Sequence, residues 1–315
     1  MSILKHQETK DMAVIKQFMK AGDGLLVRAP GKINLSLLVA GKRTDGYHEL
    51  ETIMAKINWY DEILIEPGKK KGIELICKGP YEVPAGKNNL VYKATKLILG
   101  TAKQKSAVKI TLVKNIPAGT GLGSGSSDAA GTLMGINRFL KLGFSNKKLM
   151  ELAAKLGSDI AFFLGGPLAL CTGRGEKVKK IDKCEFGVLL IVPDVNVSTQ
   201  RVYANYRHNP VKYEQFHKEI NGYIKKKRID FVWELCANML QESCFELNTE
   251  LGELKKRIER AGIGPVCLSG SGSSMYCIIN KGNEEKIKAY QTNPAASRVA
   301  RDFSFRSIIV NNNRW

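Results

Sequence analysis

Apolar and polar residues alternate along VKITLV, Val108 to Val113, at the period of a half-buried strand. The chain then runs through Lys114, Asn115 and Ile116 into a glycine- and serine-rich segment, PAGTGLGSGSS, from Pro117 to Ser127. Beyond it apolar residues return at helical spacing, at Ala129, Leu133, Ile136, Phe139 and Leu140. Ser126, Ser127 and Asp128 stand where N-cap and first-turn residues are favoured. The predicted order is strand, glycine loop, helix. A second helix over about 147 to 156 should stop at a left-handed Gly157, and Ser158 and Asp159 open a third into IAFFL, Ile160 to Leu164.

GVLLIV (187 to 192) is a buried strand ended by Pro193, and ELGELKKRIERA (250 to 261) is an amphipathic helix ended by Gly262. MYCII (275 to 279) is a strand that follows a second glycine and serine loop, Ser269 to Ser274. Earlier, the apolar stretches Leu25 to Val27 and Leu35 to Val39 bracket Lys32 in APGKIN (29 to 34), and a turn-like RTDGYH (43 to 48) follows. Strands and helices in this irregular order indicate an α+β protein rather than a doubly wound parallel sheet, with a boundary near 170 to 190. The first 22 residues are expected to form a short amphipathic helix.

Composition bounds the function. A chain of 315 residues, 43% hydrophobic and 25% charged, is long enough for one or two lobes. No stretch approaches the roughly 20 apolar residues that span a bilayer, and Glu8 and Asp11 argue against a secretory or transit peptide. Seven cysteines form no CxxC pair and four histidines no HxxxH, so reduced thiols in a cytoplasmic protein are expected, with neither disulfide nor structural metal. The net charge of +19 admits an anionic small substrate, a lysine-rich background or a nucleic-acid partner, and cannot choose among them.

The loop carries the clearest chemistry. Gly119, Gly121, Gly123 and Gly125 free the backbone of Cβ atoms, so that successive N–H groups can converge on a phosphate at a helix start. The serine hydroxyls can donate to phosphate oxygens or hold a magnesium ion. The pattern is neither GxxxxGK[ST] nor GxGxxG. Lys32, inside an apolar strand, wants a carboxylate or a phosphate partner. Asp159, carried into an apolar setting, either caps its helix or pairs with Lys32 as a proton acceptor. The residues alone leave both readings open.

With PAGTGLGSGSSDAA, APGKINLSL and LSGSGSS in this order, the chain resembles the GHMP kinase superfamily over about residues 25 to 280. RTDGYHELET, GSDIAFFLGG and VSTQRVY are similar to the branch that phosphorylates a cytidine-diphosphate-linked methylerythritol in the non-mevalonate isoprenoid route. The resemblance implies a two-lobed α+β fold. An N-terminal extension (1 to 24) precedes an ATP-binding lobe (25 to 180) with a left-handed βαβ-type unit, and a C-terminal α+β sandwich lobe (181 to 315) follows. It implies ATP and Mg²⁺ as cofactors, a cytosolic or plastid-stromal monomer or homodimer, and no nucleic-acid or membrane partner.

Residue by residue, it places Lys32 and Asp159 at the catalytic centre and Asn34, Tyr47, His48, Thr199 and Tyr203 on the substrate, with cytosine between the two tyrosines. ATP would lie on Asn89, Lys114, Pro117, Ala118, Gly119, Thr120, Gly121, Leu122, Gly123, Ser124, Gly125, Ser126 and Ser127, and on Gly270, Ser271 and Gly272, with Ser127 on Mg²⁺. Kinases of the same superfamily that act on homoserine, mevalonate or sugars, and a basic nucleic-acid-binding protein, are the alternatives. Three departures stand out: Gly31 in place of a frequent alanine, the N-terminal extension, and the unaligned end FSFRSIIVNNNRW.

Overall fold

The computed structural model describes residues 16–182, 184–292, 304–313 and 315. It opens on a short strand, β1 (Phe18–Ala21), so the expected N-terminal helix does not extend through these residues; residues 1–15 lie outside the described part. β1 pairs antiparallel with β2 (Gly24–Lys42), which forms a long hairpin with β3 (His48–Pro67) across the RTDGYH turn. The hairpin register shifts between Pro30 and Gly31, between Asn34 and Ser36, and between Val39 and Gly41. Side chains alternate faces at every residue, so each shift re-aims those beyond it, and two of the three flank Lys32 and Asn34.

β4 (Ile73–Lys78), α1 (Leu90–Thr101) and β5 (Val108–Val113) form a βαβ unit in which β4 and β5 run parallel. The glycine loop follows, then α2 (Ser124–Phe139), α3 (Asn146–Ala154) and α4 (Ile160–Leu164). β6 (Leu168–Gly173) returns to pair with β3, and β7 (Lys177–Lys180) pairs with β6, so that β3 holds β2, β5 and β6 together in one seven-stranded sheet. Gly157 does not adopt the expected left-handed conformation; α3 ends at Ala154 with Lys155 as a right-handed cap.

The second half builds a four-stranded antiparallel sheet in the order β11-β8-β10-β9. Its elements are β8 (Gly187–Pro193), α5 (Thr199–Asn205), α6 (Pro210–Lys225), α7 (Gln241–Leu247), α8 (Thr249–Arg260), β9 (Cys267–Leu268), β10 (Met275–Ile279), α9 (Glu284–Thr292) and β11 (Phe305–Asn311). β8 lies between two neighbours and is buried from Val188 onward, as its unbroken apolar run requires. Each fully buried Val, Leu or Ile there contributes about 1.5–3 kcal/mol.

Two hydrophobic cores form, and the hairpin serves both. Val27, Ala29, Ile63 and Ile65 pack with α1 and α2, while Ile33, Leu35, Leu37, Ile53 and Ile57 pack with β8 and β10. A cut at residue 180 falls between β7 and β8, but it does not divide the cores. The chain end joins the halves again. β11 pairs with β8, Asn312 bridges to Ile57, the Asn313 amide donates to the Lys56 carbonyl at 2.8 Å, and Trp315 stacks on Tyr60 with ring centroids 5.6 Å apart.

The cysteine expectation fails in one place: Cys236 and Cys267 form a disulfide, with Cα atoms 5.1 Å apart. The two lie 31 residues apart in sequence, and only the fold brings them together. Among the described residues no helix is long and apolar enough to cross a membrane.

Candidate functional site

The candidate residues meet where the two cores share the hairpin. α2 begins at Ser124, two residues before the expected start, and its cap is Gly123 in the left-handed region (φ 67°). Gly119 (φ 73°) and Gly121 (φ 80°) alternate with it in the same region. A Cβ at Gly121 would lie 2.2 Å from the Ser269 carbonyl oxygen, so only glycine lets the first loop close against the second. The Ser274 amide donates to the Thr120 carbonyl (3.0 Å), and Ser269 Oγ donates to the Gly121 carbonyl (3.0 Å). Among the described residues, the amides of Ala118 through Gly123 make no hydrogen bond. They form a cradle of donors at the start of a 16-residue helix, the setting that suits an anion.

Lys32 closes this cradle from β2. Its side chain is buried, and Nζ donates to Asn34 Oδ1 (2.6 Å) and to the Gly121 carbonyl (2.8 Å). Burial pushes its pKa below the ordinary lysine value, and the charge of Asp159, followed by the Cys171 thiol, only partly restores it. Asn34 does not face a ligand alone: Oδ1 holds Lys32 while Nδ2 donates to Thr52 Oγ1 (2.8 Å), which donates in turn to the Ser36 carbonyl (2.5 Å). Thr52 is an orienting group that the sequence did not single out.

Asp159 precedes α4, yet its side chain makes no capping hydrogen bond, so the capping alternative does not hold. Its carboxylate acts electrostatically on Lys32, on Cys171 and on Tyr203, although it forms no ion pair with Lys32. Its charge is thus felt by Lys32 and by the Tyr203 ring alike.

At the expected substrate end, His48 stacks on Tyr203 with centroids 5.1 Å apart and planes 28° apart, and meets the edge of Tyr206 at 5.9 Å. Burial, then the charges of Lys42 and His208, hold the His48 pKa below the ordinary histidine value, so the neutral ring offers one donor and one acceptor. Tyr47 is 54% exposed, and the Arg174 guanidinium lies 4.2 Å from its ring centroid. His48 thus covers Tyr203, and Arg174 covers Tyr47. Thr199 Oγ1 lies 2.8 Å from Ser271 Oγ, linking α5 to the second glycine loop.

The two residues expected near adenine have partners within the fold. Lys114 is completely buried, and its ammonium pairs with both Asp61 and Asp128 (2.7 Å to the latter) rather than facing a ligand. Asn89 caps α1, accepting from the Val91 amide (2.8 Å) and donating to the Pro84 carbonyl (2.9 Å). Both side chains are occupied by the fold. Asp61 Oδ1 accepts from the amides of Asn115 (2.6 Å) and Ile116 (2.9 Å), so the buried triad anchors the chain as it enters the glycine loop.

Two further residues shape the site without a sequence signal strong enough to find them. Asn238 donates to the carbonyls of Leu268 (2.9 Å) and Gly270 (2.8 Å), holding the second loop. Arg174 follows β6, whose pairing with β3 brings it to Tyr47. Neither lies in a motif, and each is placed by contacts distant in sequence.

Comparison with known proteins gives a consistent result. The family model for the GHMP kinases N terminal domain matches residues 89–167, and that for the GHMP kinases C terminal domain matches 229–293. A 4-diphosphocytidyl-2-C-methyl-D-erythritol kinase from Geobacillus sp. (strain WCH70) is 39% identical over 261 residues, covering 81% of this chain and 88% of the relative. A crystal structure of 4-(cytidine 5'-diphospho)-2C-methyl-D-erythritol kinase superposes with a TM-score of 0.69 at 30% identity, covering 91% of this chain and 99% of the other. A homoserine kinase from Cytophaga hutchinsonii superposes with a TM-score of 0.74 and 98% coverage of both chains, but at 19% identity it speaks for the fold alone.

Proposed function

The chain belongs to the GHMP kinases and, within them, to the 4-diphosphocytidyl-2-C-methyl-D-erythritol kinases, and on that premise we propose that it transfers the γ-phosphoryl group of ATP to the 2-hydroxyl of 4-diphosphocytidyl-2-C-methyl-D-erythritol. The observation that carries the reading is Asp159, a carboxylate without a capping role whose charge acts on both Lys32 and Tyr203.

In this reading the amides of Ala118 to Gly123 receive the ATP phosphates, and Tyr47, His48 and Tyr203 receive the cytosine. A base that stacks on Tyr203 takes the place His48 holds here, and the displaced imidazole can read the polar edge of the pyrimidine. The substrate hydroxyl oxygen attacks the γ-phosphorus, the bond to the β–γ bridging oxygen breaks, ADP leaves, and the hydroxyl proton passes to Asp159. Lys32, held by Asn34 and the Gly121 carbonyl, faces the charge that develops on the transferring group. Positioning supplies much of the acceleration in such reactions, which is the task of the two interlocked loops.

A Mg²⁺ ion would neutralise charge on the nucleotide phosphates. Among the described residues no group of three or more His, Cys, Asp or Glu side chains could hold a metal. The Ser127 hydroxyl, buried and without a hydrogen-bond partner at the start of α2, is an oxygen donor that fits an ion held mainly by ATP.

The test is turnover of purified protein with Mg-ATP and 4-diphosphocytidyl-methylerythritol, against homoserine and mevalonate. Activity with the first alone, competed by CMP, is expected, and Asp159→Asn should lower kcat by ~10² or more. Equal activity on homoserine or mevalonate, or near-normal turnover of the Asp159→Asn enzyme, would remove the reading.

A further inference from the structure

A second buried lysine lies across the hairpin from Lys32. Lys56 is 1% exposed, and in the β2–β3 register its partner is Lys32 itself. Directly opposed residues of an antiparallel pair point to the same face. Unlike Lys32, Lys56 does not reach toward the glycine loop. Its ammonium donates to the carbonyls of Phe163 (3.1 Å) and Gly165 (2.8 Å), and its own amide donates to the Pro167 carbonyl (2.8 Å). One residue of β3 therefore ties down the C-terminal end of α4 and the segment after it at three points.

The last carbonyls of a helix lack partners within it, and a cation there also meets the negative end of the helix dipole. α4 has five residues, a span of about 7.5 Å at 1.5 Å per residue, and the residue at its other end is Asp159. So short a helix transmits the placement of one end to the other.

Packing does not account for an amino group at this position. Burial lowers the Lys56 pKa to about 7, with no carboxylate to restore it, and an apolar chain of similar length would fill the space without that desolvation. The Asn313 amide also donates to the Lys56 carbonyl (2.8 Å), so the strand itself is not free to adjust.

We propose that Lys56 is a positioning residue for phosphoryl transfer, whose ammonium fixes α4 and, through it, sets Asp159 against Lys32. The inference rests on the reading of Asp159 as the proton acceptor.

The test is a double-variant cycle of Lys56→Met and Asp159→Asn, with kcat, KM for ATP and thermal midpoint measured for each enzyme. Lys56→Met should keep its midpoint and a KM for ATP within ~3-fold, while kcat falls by roughly 10- to 100-fold, the loss typical of an ångström-scale misplacement. In the Asp159→Asn background the same substitution should cause no further loss, because residues acting as one unit are not additive. Lys56→Gln, which keeps a donor, should recover part of the turnover.

An Asp159→Asn enzyme that is slow, beside a Lys56→Met enzyme within about 2-fold of normal, overturns this proposal alone. So do losses that multiply in the double variant, and so does failure of both Lys56→Met and Lys56→Gln to fold, which would make Lys56 a determinant of the fold. An Asp159→Asn enzyme of normal turnover removes the proton acceptor and this proposal with it.

Discussion

Lys32 and Lys114 look alike in the sequence, each a lysine beside an apolar strand segment, and the structure gives them opposite situations. Both are buried in the same half of the molecule. Burial works to lower the Lys114 pKa, but Asp128 and Asp61 outweigh it and the pKa lies above the ordinary value. At Lys32 burial prevails, because Asp159 acts from beyond ion-pair range and the near partners are an amide oxygen and a carbonyl. A buried ammonium compensated by carboxylates belongs to the scaffold. One left under-compensated beside free backbone donors is poised for an anion that arrives from outside.

The contrast breaks most visibly on removal of the charges. Lys114→Met leaves the Asp61 carboxylate in the core without its cation, beside the Asp128 carboxyl, and should cost about 3–5 kcal/mol of unfolding free energy, seen as a lower urea midpoint. Lys32→Met removes a desolvated charge and should hold or raise the midpoint while kcat falls by ~10²–10³, the scale of one lost donor to developing negative charge. Comparable losses of stability in both variants would show that the two lysines do not differ as described.

The contrast also marks how far the sequence could be read. The strand of β5, the helix of α2 and strand β10 were legible because each rests on a local period and a local stop signal. Lys32 was legible as a charge flanked by apolar residues. The same signal marks Lys56 in TIMAKIN, and alternation marks Asp61, which shares the buried face of β3 with Ile63 and Ile65. What could not be read was partnership: that Asp61 and Asp128 would meet on Lys114, that Cys236 would reach Cys267, or that the unaligned tail would become β11. These contacts join segments whose approach is set by the whole fold.

The triad sharpens the comparison through pH. Burial, then the charge of Asp61, raises the Asp128 pKa to about 8, against the opposing pull of Lys114, and its Oδ1 has no hydrogen-bond partner. A carboxyl whose folded pKa is raised contributes stability that is full below its unfolded pKa, near 3.9, and is lost as pH rises through the folded value. The native protein should therefore lose stability between pH 6 and pH 8, by up to about 1.4 kcal/mol per unit from this group. Asp128→Asn keeps the site neutral and should flatten that slope in urea titrations. An unchanged slope would mean that Asp128 is already ionised beside Lys114.

The smallest expected effect is a proton. If Lys32 is under-compensated, ATP phosphates reaching the amides of Ala118 to Gly123 raise its pKa toward the ordinary value, and binding at mildly alkaline pH takes up a fraction of a proton. The binding enthalpy measured in two buffers of different ionisation heat then differs for the native protein. It should not differ, after the nucleotide's own exchange is accounted for, in Lys32→Met. Lys114 already holds its proton tightly between Asp61 and Asp128 and adds nothing to this uptake. Equal buffer dependence in the native and Lys32→Met proteins would place the protonation change elsewhere, and Lys32 would then be as settled as Lys114.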